Sequence, residues 1–391
     1  MYSIKPIDNI SHTGLSQLSE DKYKVDKDTH DPDAILVRST SLHELKFLKN
    51  LKIIGRAGAG VNNIPVDKLT KEGIPVLNTP GANANAVKEL VITGMLLASR
   101  NICQAWQYVS QLTGDDANIS EQIEKHKKQF VGHELAGKTL GVIGLGYIGV
   151  KVANAALALG MNVLGYDPNI TVKRALELSS SVQQADSLHD LLAHSSFVTL
   201  HVPLIDETHH LINAAQLKLF KPGAILLNFS RETIVDQDAI IHSLNDHHLG
   251  VYVTDFPTGK IINHPHIVAL PHLGASTKEA EENCAVMITN QIRDFLEYGV
   301  IKNSVNFPDV FLPYRGGYRL SIVNANVPNM VAQISVDLAK AGHNILNLIN
   351  QSRGEIAYTL LDLDNAITEK TLHEIAAIKG VMKVRNIGKL K

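Results

Sequence analysis

Thr139-Leu-Gly-Val-Ile-Gly-Leu-Gly-Tyr-Ile-Gly149, followed by Asp167, decides the fold. The run reads as an apolar strand, a turn at Gly144-Leu145-Gly146 and a helix opening at Gly149. A second apolar strand, Asn162-Val163-Leu164-Gly165-Tyr166, then ends in the acid. Gly144 permits a tight turn, Gly146 lets backbone approach a pyrophosphate, and Gly149 lets helix and strand pack closely. Tyr147 and Ile148 lie at the helix N-terminus, whose N–H groups and positive dipole end attract phosphate. Asp167 stands 18 residues after Gly149. There its carboxylate can accept both hydroxyls of an adenosine ribose and would repel a 2′-phosphate. The expected cofactor is therefore NAD(H) rather than NADP(H). A lone Gly-x-Gly-x-x-Gly is a weak signal; here the strand, the helix and the acid all stand at the right distances.

The same alternation extends outward. Apolar strands are expected at Leu140–Ile143, Val163–Tyr166, Phe197–His201, Ala224–Phe229, Val251–Asp255 and Ile267–Leu270, with helical patterns between them. Upstream, Ala34–Val37, Leu51–Ile54 and Ile74–Leu77 repeat the theme. Strands alternating with helices imply parallel, doubly wound sheets. A helix is expected from about Asn85 to Ala98, and a more polar helical stretch over 100–130. Thr277–Tyr298 reads as a long helix crossing back to the first domain, and Pro308, Pro313 and Gly316-Gly317 mark a linker. Residues 318–391 then read β-α-β-β-α-β, a ferredoxin-like layout. The expected division is 1–90 plus 285–312 as one domain, 91–284 as the dinucleotide domain and 318–391 as a small third unit. The fold class is α/β, with two parallel-sheet domains and a ferredoxin-like appendix.

At 391 residues the chain has room for two or three domains. Hydrophobic residues make up 45% and charged ones 19%, which gives ample core. A net charge of −2 offers no footprint for nucleic acid or an anionic membrane. Cys103 and Cys284 are too few for a disulfide framework and lack metal-ligand spacing, so no metal is expected. No apolar run reaches the roughly 20 residues of a membrane span, and the N-terminus lacks a signal core. Cytoplasm is the default location.

Ligands of open α/β sheets bind at the carboxyl ends of strands. Three polar sites lie there. Arg231 follows Ile225–Ser230, where a guanidinium can fork onto a carboxylate and an adjacent carbonyl. His272 follows Ile267–Pro271 and can move a proton at neutral pH. Arg38-Ser39 and the Arg56-Ala-Gly58-Ala59-Gly60 run follow strands of the first domain and could clamp an anion. A cleft carrying NAD on one wall and anion-binding groups on the other implies a small anionic substrate.

These motifs resemble the D-isomer-specific 2-hydroxyacid dehydrogenases. The resemblance rests on Gly-Leu-Gly-Tyr-Ile-Gly, Asp167, Ser230-Arg231, Pro271-His272-Leu-Gly-Ala-Ser-Thr277 and Gly55-Arg-Ala-Gly, and it covers essentially the whole chain. Gly-Arg-Ala-Gly-x-Gly-Val-x-Asn, Asn78-Thr-Pro80 and Asn303-Ser-Val-Asn306 are similar to the branch acting on 3-phospho-D-glycerate. The resemblance implies a flavodoxin-like substrate domain, a Rossmann domain and a C-terminal ACT domain. It implies that Gly144, Gly146, Gly149 and Asp167 hold NAD, with His201, Val202, Pro203, Thr208 and Asp255 also on the cofactor side. Arg38, Ser39, Arg56, Gly58, Ala59, Gly60 and Arg231 would hold substrate, and His272 would be the acid/base. A homodimer or homotetramer is implied. Asn324, Asn326 and Asn344 are candidate effector residues; L-serine binding and a purely oligomerising role stay equally open. Other D-2-hydroxy acids, such as 2-hydroxyglutarate, or an NAD-sensing scaffold, are the alternatives.

Three departures from the pattern stand out. Gly259 occupies the place of the glutamate that pairs with the histidine, and Thr254-Asp255 shifts the strand-end acid by one residue. Glu232 also replaces a glycine after the arginine. His272 is therefore expected to act unpaired, or to borrow Asp255 or Glu232.

Overall fold

The computed structural model of the chain describes residues 1–46 and 48–390. Two compact units emerge: Met1–Asn83 with Lys278–Lys391, and Ala84–Thr277.

The Ala84–Thr277 unit is built on a seven-stranded parallel sheet. Its spatial order is Ile267–Ala269, Leu249–Thr254, Ala224–Asn228, Phe197–Leu200, Thr139–Ile143, Asn162–Tyr166 and Gln183–Gln184. The central strands are apolar on both faces because helices cover both, as parallel sheets require, while the edge strand Gln183–Gln184 is polar and exposed. Strand order reverses between Thr139–Ile143 and Phe197–Leu200, where open α/β sheets bind ligands. The helix Ala84–Ser99 lies against this sheet. Val87, Val91, Met95 and Ala98 recur at helical spacing and join Val142, Leu227 and Val253 in one core. At Gly94 a Cβ would come within 3.1 Å of Phe229 and Val253, so the glycine lets helix and sheet approach closely. This helix therefore belongs wholly to the dinucleotide unit. The boundary falls at 83/84, where the sequence suggested 90/91.

The other boundary falls at 277/278, not 284/285. The helix Lys278–Tyr298 lies wholly in the first unit, where Cys284, Ala285, Ile288, Ile292, Phe295 and Leu296 are buried. Gly55 gives it room: a Cβ there would stand 2.6 Å from Ile288 and Ile292. The five-stranded sheet beneath is parallel, in the order Tyr23–Val25, Tyr2–Pro6, Ala34–Val37, Ile53–Arg56, Val76–Leu77. Numbered along the chain, that is the flavodoxin-like order 2-1-3-4-5.

The same unit carries a four-stranded antiparallel sheet, ordered Ile345–Arg353, Ile356–Leu363, Tyr318–Ala325, Val381–Lys389. With helices Met330–Lys340 and Glu369–Ala376 it completes the expected β-α-β-β-α-β layout. Gly316 and Gly317, at φ +113° and +94°, make the turn into it. Its polar groups reach carbonyls of the neighbouring segments. Arg319 Nη1 donates to Tyr298 O, the Tyr358 hydroxyl to Gly299 O and Lys383 Nζ to Leu51 O. Among the described residues no helix is long and apolar enough to cross a membrane. The polar stretch over 100–130 resolves into helices Ile102–Ser110 and Asp116–His126 and a 3-10 turn, Lys127–Phe130.

Candidate functional site

Ile143 pairs with Tyr166 on one side and Leu200 on the other. The residues that follow these strands therefore emerge together where strand order reverses. Gly144 takes φ +90°, and a Cβ there would lie 2.6 Å from His201 O. Gly149 packs so tightly that its Cβ would stand 1.9 Å from Gly144 O. Gly146 caps the helix Tyr147–Ala158 and has open space where its side chain would be. The backbone is thus bared at a helix N-terminus, a cradle that fits a dinucleotide pyrophosphate. Asp167 accepts from Leu145 N at 2.8 Å and from Asn169 N at 2.9 Å. A carboxylate has about four lone-pair sites, so the ribose hydroxyls still find acceptors.

The other residues expected on the cofactor side are placed as follows. Tyr147 opens the helix and is exposed, with the Arg174 guanidinium 4.1 Å above its ring; Ile148 packs against the core. His201 Nε2 lies 3.0 Å from Thr199 Oγ1. Burial pushes the imidazole down to about 3, so it is neutral at any working pH. Val202 lies 2.9 Å from the point a Gly144 Cβ would occupy. The Thr208 hydroxyl donates to Pro203 O at 2.6 Å and accepts from Ile205 N at 2.9 Å, closing that loop on itself. Gly149→Ala must push the turn aside. It is expected to weaken NADH binding about tenfold or more, the ~1.5–3 kcal/mol of a hydrogen bond to a charged group. A fluorescence titration checks it, and wild-type affinity would contradict the cradle.

Arg231 follows the strand Ala224–Asn228 and its Nη1 donates to Ser230 O at 2.6 Å. Asn228 Nδ2 donates to Arg231 O, and the Ser230 hydroxyl donates to Leu200 O. Buried polar side chains thus fix the loop from behind. Burial draws the Arg231 guanidinium below its ordinary value, yet from so high a start the group keeps its charge.

His272 lies beyond Ile267–Ala269 at φ +58°, a left-handed conformation that costs a non-glycine residue roughly 1–3 kcal/mol. The Phe256 ring meets the imidazole edge-on, with centroids 5.1 Å apart. Neither carboxylate considered as a loan hydrogen-bonds the ring. Glu232 is exposed and accepts from Gln237 Nε2. Asp255 is 2% exposed and accepts from Leu273 N and Gly274 N, each at 2.7 Å. Burial raises the Asp255 carboxyl above its ordinary value despite those two bonds and the smaller opposing effect of the nearby His272 charge. Gly259 faces open space.

The first unit carries the expected anion-binding groups and two acids that sequence reading missed. Asp8 Oδ2 accepts from the N–H groups of Arg38, Ser39 and Thr40, and Oδ1 from the Thr40 hydroxyl. Burial raises this carboxyl, but the Thr40 hydroxyl and the three N–H groups outweigh it, and the net shift is downward. The Ser39 amide is therefore already engaged by Asp8. Arg38 Nη1 pairs with Glu281 Oε1 at 2.7 Å. Arg56 Nε donates to Arg38 O, and its guanidinium lies where a Gly58 Cβ would be, 1.8 Å away. Asn78 Nδ2 holds Ala59 O, and Gly60 follows in the same loop. The only sequence signal for Asp8 was an acid just past a strand, which many solvated acids share.

Two of the three candidate effector residues, Asn324 and Asn326, are brought together, and Asn344 is not. Asn324 pairs with Ala357 at one end of the small sheet, and Asn326 Nδ2 donates to Gly354 O nearby. Asn344 precedes Ile345, which pairs with Leu363 at the other end. A cavity of about 460 Å³ is lined by Asn324, Asn326, Asn329 and Asn350, without Asn344.

A bared helix N-terminus, an acid beside it, and a guanidinium and an imidazole past the ends of two strands of the same sheet fit the Ala84–Thr277 unit of an NAD-dependent dehydrogenase. Residues 92–274 match the D-isomer-specific 2-hydroxyacid dehydrogenase NAD-binding domain. The D-3-phosphoglycerate dehydrogenase of Escherichia coli (strain K12) is 33% identical over 86% of this chain and 82% of its own length. The chain belongs to the D-isomer-specific 2-hydroxyacid dehydrogenase family. The Methanocaldococcus jannaschii D-3-phosphoglycerate dehydrogenase is 35% identical over 85% of the chain, which spans 62% of that relative. Among solved structures, NAD⁺-bound 3-phosphoglycerate dehydrogenase of Entamoeba histolytica superposes with a TM-score of 0.61 at 28% identity. It covers 80% of this chain and 99% of that one.

Proposed function

We propose that the chain oxidises 3-phospho-D-glycerate to 3-phosphohydroxypyruvate, the first step of L-serine biosynthesis. The observation carrying this reading is that Arg231 and His272 both stand at the carboxyl ends of strands in the sheet that carries the cradle, in a chain whose relatives bear that enzyme's name. Arg231 holds the substrate carboxylate and polarises the C2 oxygen. His272 takes the proton from the C2 hydroxyl, and in reverse returns it to the carbonyl. NAD, when bound, supplies the hydride acceptor. Arg38, the Ser39 hydroxyl, Arg56 and the Gly58–Gly60 backbone are assigned to the substrate's anionic groups.

The test is NADH oxidation with phosphohydroxypyruvate, 2-oxoglutarate and pyruvate at equal concentrations. The phosphorylated acid is expected to give the highest kcat/KM; preference for 2-oxoglutarate would overturn the assignment. One observation favours that second reading: Glu281 already neutralises Arg38. Gly58→Ala is a separate check. The new methyl displaces the Arg56 guanidinium, and KM is expected to rise roughly tenfold, the equivalent of ~1.4 kcal/mol. An unchanged KM would remove Arg56 from the site.

On the same reading residues 318–391 are an ACT-type unit and the enzyme is a homodimer or homotetramer. The asparagine-lined cavity is the place assigned to an effector such as L-serine. Calorimetry should detect serine binding at millimolar concentration, and absence of both heat and inhibition would remove the regulatory role.

A further inference from the structure

We infer that Asp255 is the positioning residue of the catalytic histidine, acting through the peptide backbone that follows it rather than through its ring. The inference rests on the acid/base role proposed above for His272. Three features of the Ala84–Thr277 unit carry it.

The first is the clamp itself. Both Asp255 oxygens accept a backbone N–H at 2.7 Å, one from Leu273 and one from Gly274. These are the two residues after His272. Charge-assisted bonds of this length are about twice as strong as neutral ones. The second is the conformation being held. His272 sits at φ +58°, which an L-residue leaves unless its surroundings over-determine it. A further bond, from His272 N to Leu270 O, closes the turn from the other side. The third is the glycine at 274. A Cβ there would stand 3.1 Å from Asp255 Oδ2, so a larger residue crowds the carboxylate its own amide must reach.

Ring-directed support is otherwise thin. Gly259 offers no side chain, Glu232 is engaged by Gln237, and Phe256 gives only an edge-on aromatic contact. Orientation therefore comes from the main chain. Fixing the His272 backbone between two anchors fixes the direction of its Cα–Cβ bond, and with it the reach of the imidazole. The strand shift that puts Thr254 inside and Asp255 one place later is what delivers the carboxylate to this loop: the Thr254 hydroxyl accepts from Phe256 N, turning the chain immediately after the strand. Asp255 is thus assigned to the histidine loop, where the sequence placed it among the cofactor contacts.

The test is Asp255→Asn in the full chain. The amide is isosteric but offers one acceptor where two are needed. With whichever 2-oxo acid the wild type reduces, kcat is expected to fall ten- to hundredfold, while NADH affinity stays within twofold. The solvent deuterium isotope effect on kcat is expected to grow, because a misplaced acid slows proton delivery. A smaller fraction of folded enzyme would lower kcat without changing that ratio. Hydrogen exchange of the 271–276 segment, which needs no turnover, should accelerate at Leu273 and Gly274. Asp255→Ser gives the same readings if the asparagine variant is insoluble. Unchanged exchange, an unchanged isotope effect, or loss of NADH binding in step with kcat each overturns the inference. A wild type that reduces no 2-oxo acid sinks the proposed function instead, and exchange alone then decides the clamp.

Discussion

His272→Ala is expected to lower kcat by about 10²–10⁴-fold, the usual contribution of a positioned general acid/base, with NADH affinity unchanged. Arg231→Ala should cost roughly 10²–10³-fold, as removal of an electrostatic stabiliser does. Because the two act on one transition state, the double variant should fall well short of the product of the two losses. The readout is NADH oxidation under saturating 2-oxo acid. Full turnover in His272→Ala would remove the imidazole from the reaction. A companion variant separates chemistry from strain. His272→Gly should be as inactive as the alanine variant yet more stable than it by about 1–2 kcal/mol, because glycine adopts φ +58° without a Cβ clash. Equal stability of the two would mean that the loop relaxes out of the left-handed region once the ring is gone.

The largest effect on stability is expected at Arg319. Its guanidinium meets Asp362 with two parallel bonds of 2.7 and 2.9 Å, and both side chains are 1% exposed. Desolvation makes the net worth of such a pair small, but removing one partner strands a buried charge. Arg319→Met is therefore expected to destabilise the small antiparallel sheet by about 3–5 kcal/mol. Hydrogen exchange in the strands Tyr318–Ala325 and Ile356–Leu363 measures it. Arg319→Met combined with Asp362→Leu should recover most of the loss, since an apolar pair of similar volume needs no solvation. Failure of the double variant to recover would show that the bond from Arg319 to Tyr298 O matters more than the ion pair. That bond caps a carbonyl at the end of the helix Lys278–Tyr298, a position favourable to a cation.

Sequence by itself determined the parts whose cause is local. The dinucleotide turn was readable because Gly144 is demanded by its φ angle and Gly149 by a close contact within a few residues, while Gly146 leaves the helix N-terminus bare. Most strand positions were readable from apolar runs, and the β-α-β-β-α-β tail likewise; Tyr2–Pro6, Tyr23–Val25 and Gln183–Gln184 are short or polar and gave no such run. Arg231 and His272 were readable because strand ends in such a sheet face ligands. Tertiary structure alone decided which unit each connecting helix joins, since the apolar faces of Ala84–Ser99 and Lys278–Tyr298 fit any core. It alone decided that Asp8 serves the Arg38 loop, that Glu281 covers Arg38, that Asn344 lies away from Asn324, and that Asp255 holds the backbone after His272. A carboxylate's partner is whatever the fold brings within about 3 Å, and Asp8 lies 30 residues from the amide it accepts. No periodicity or spacing encodes such a meeting; it exists only once the strands between have paired.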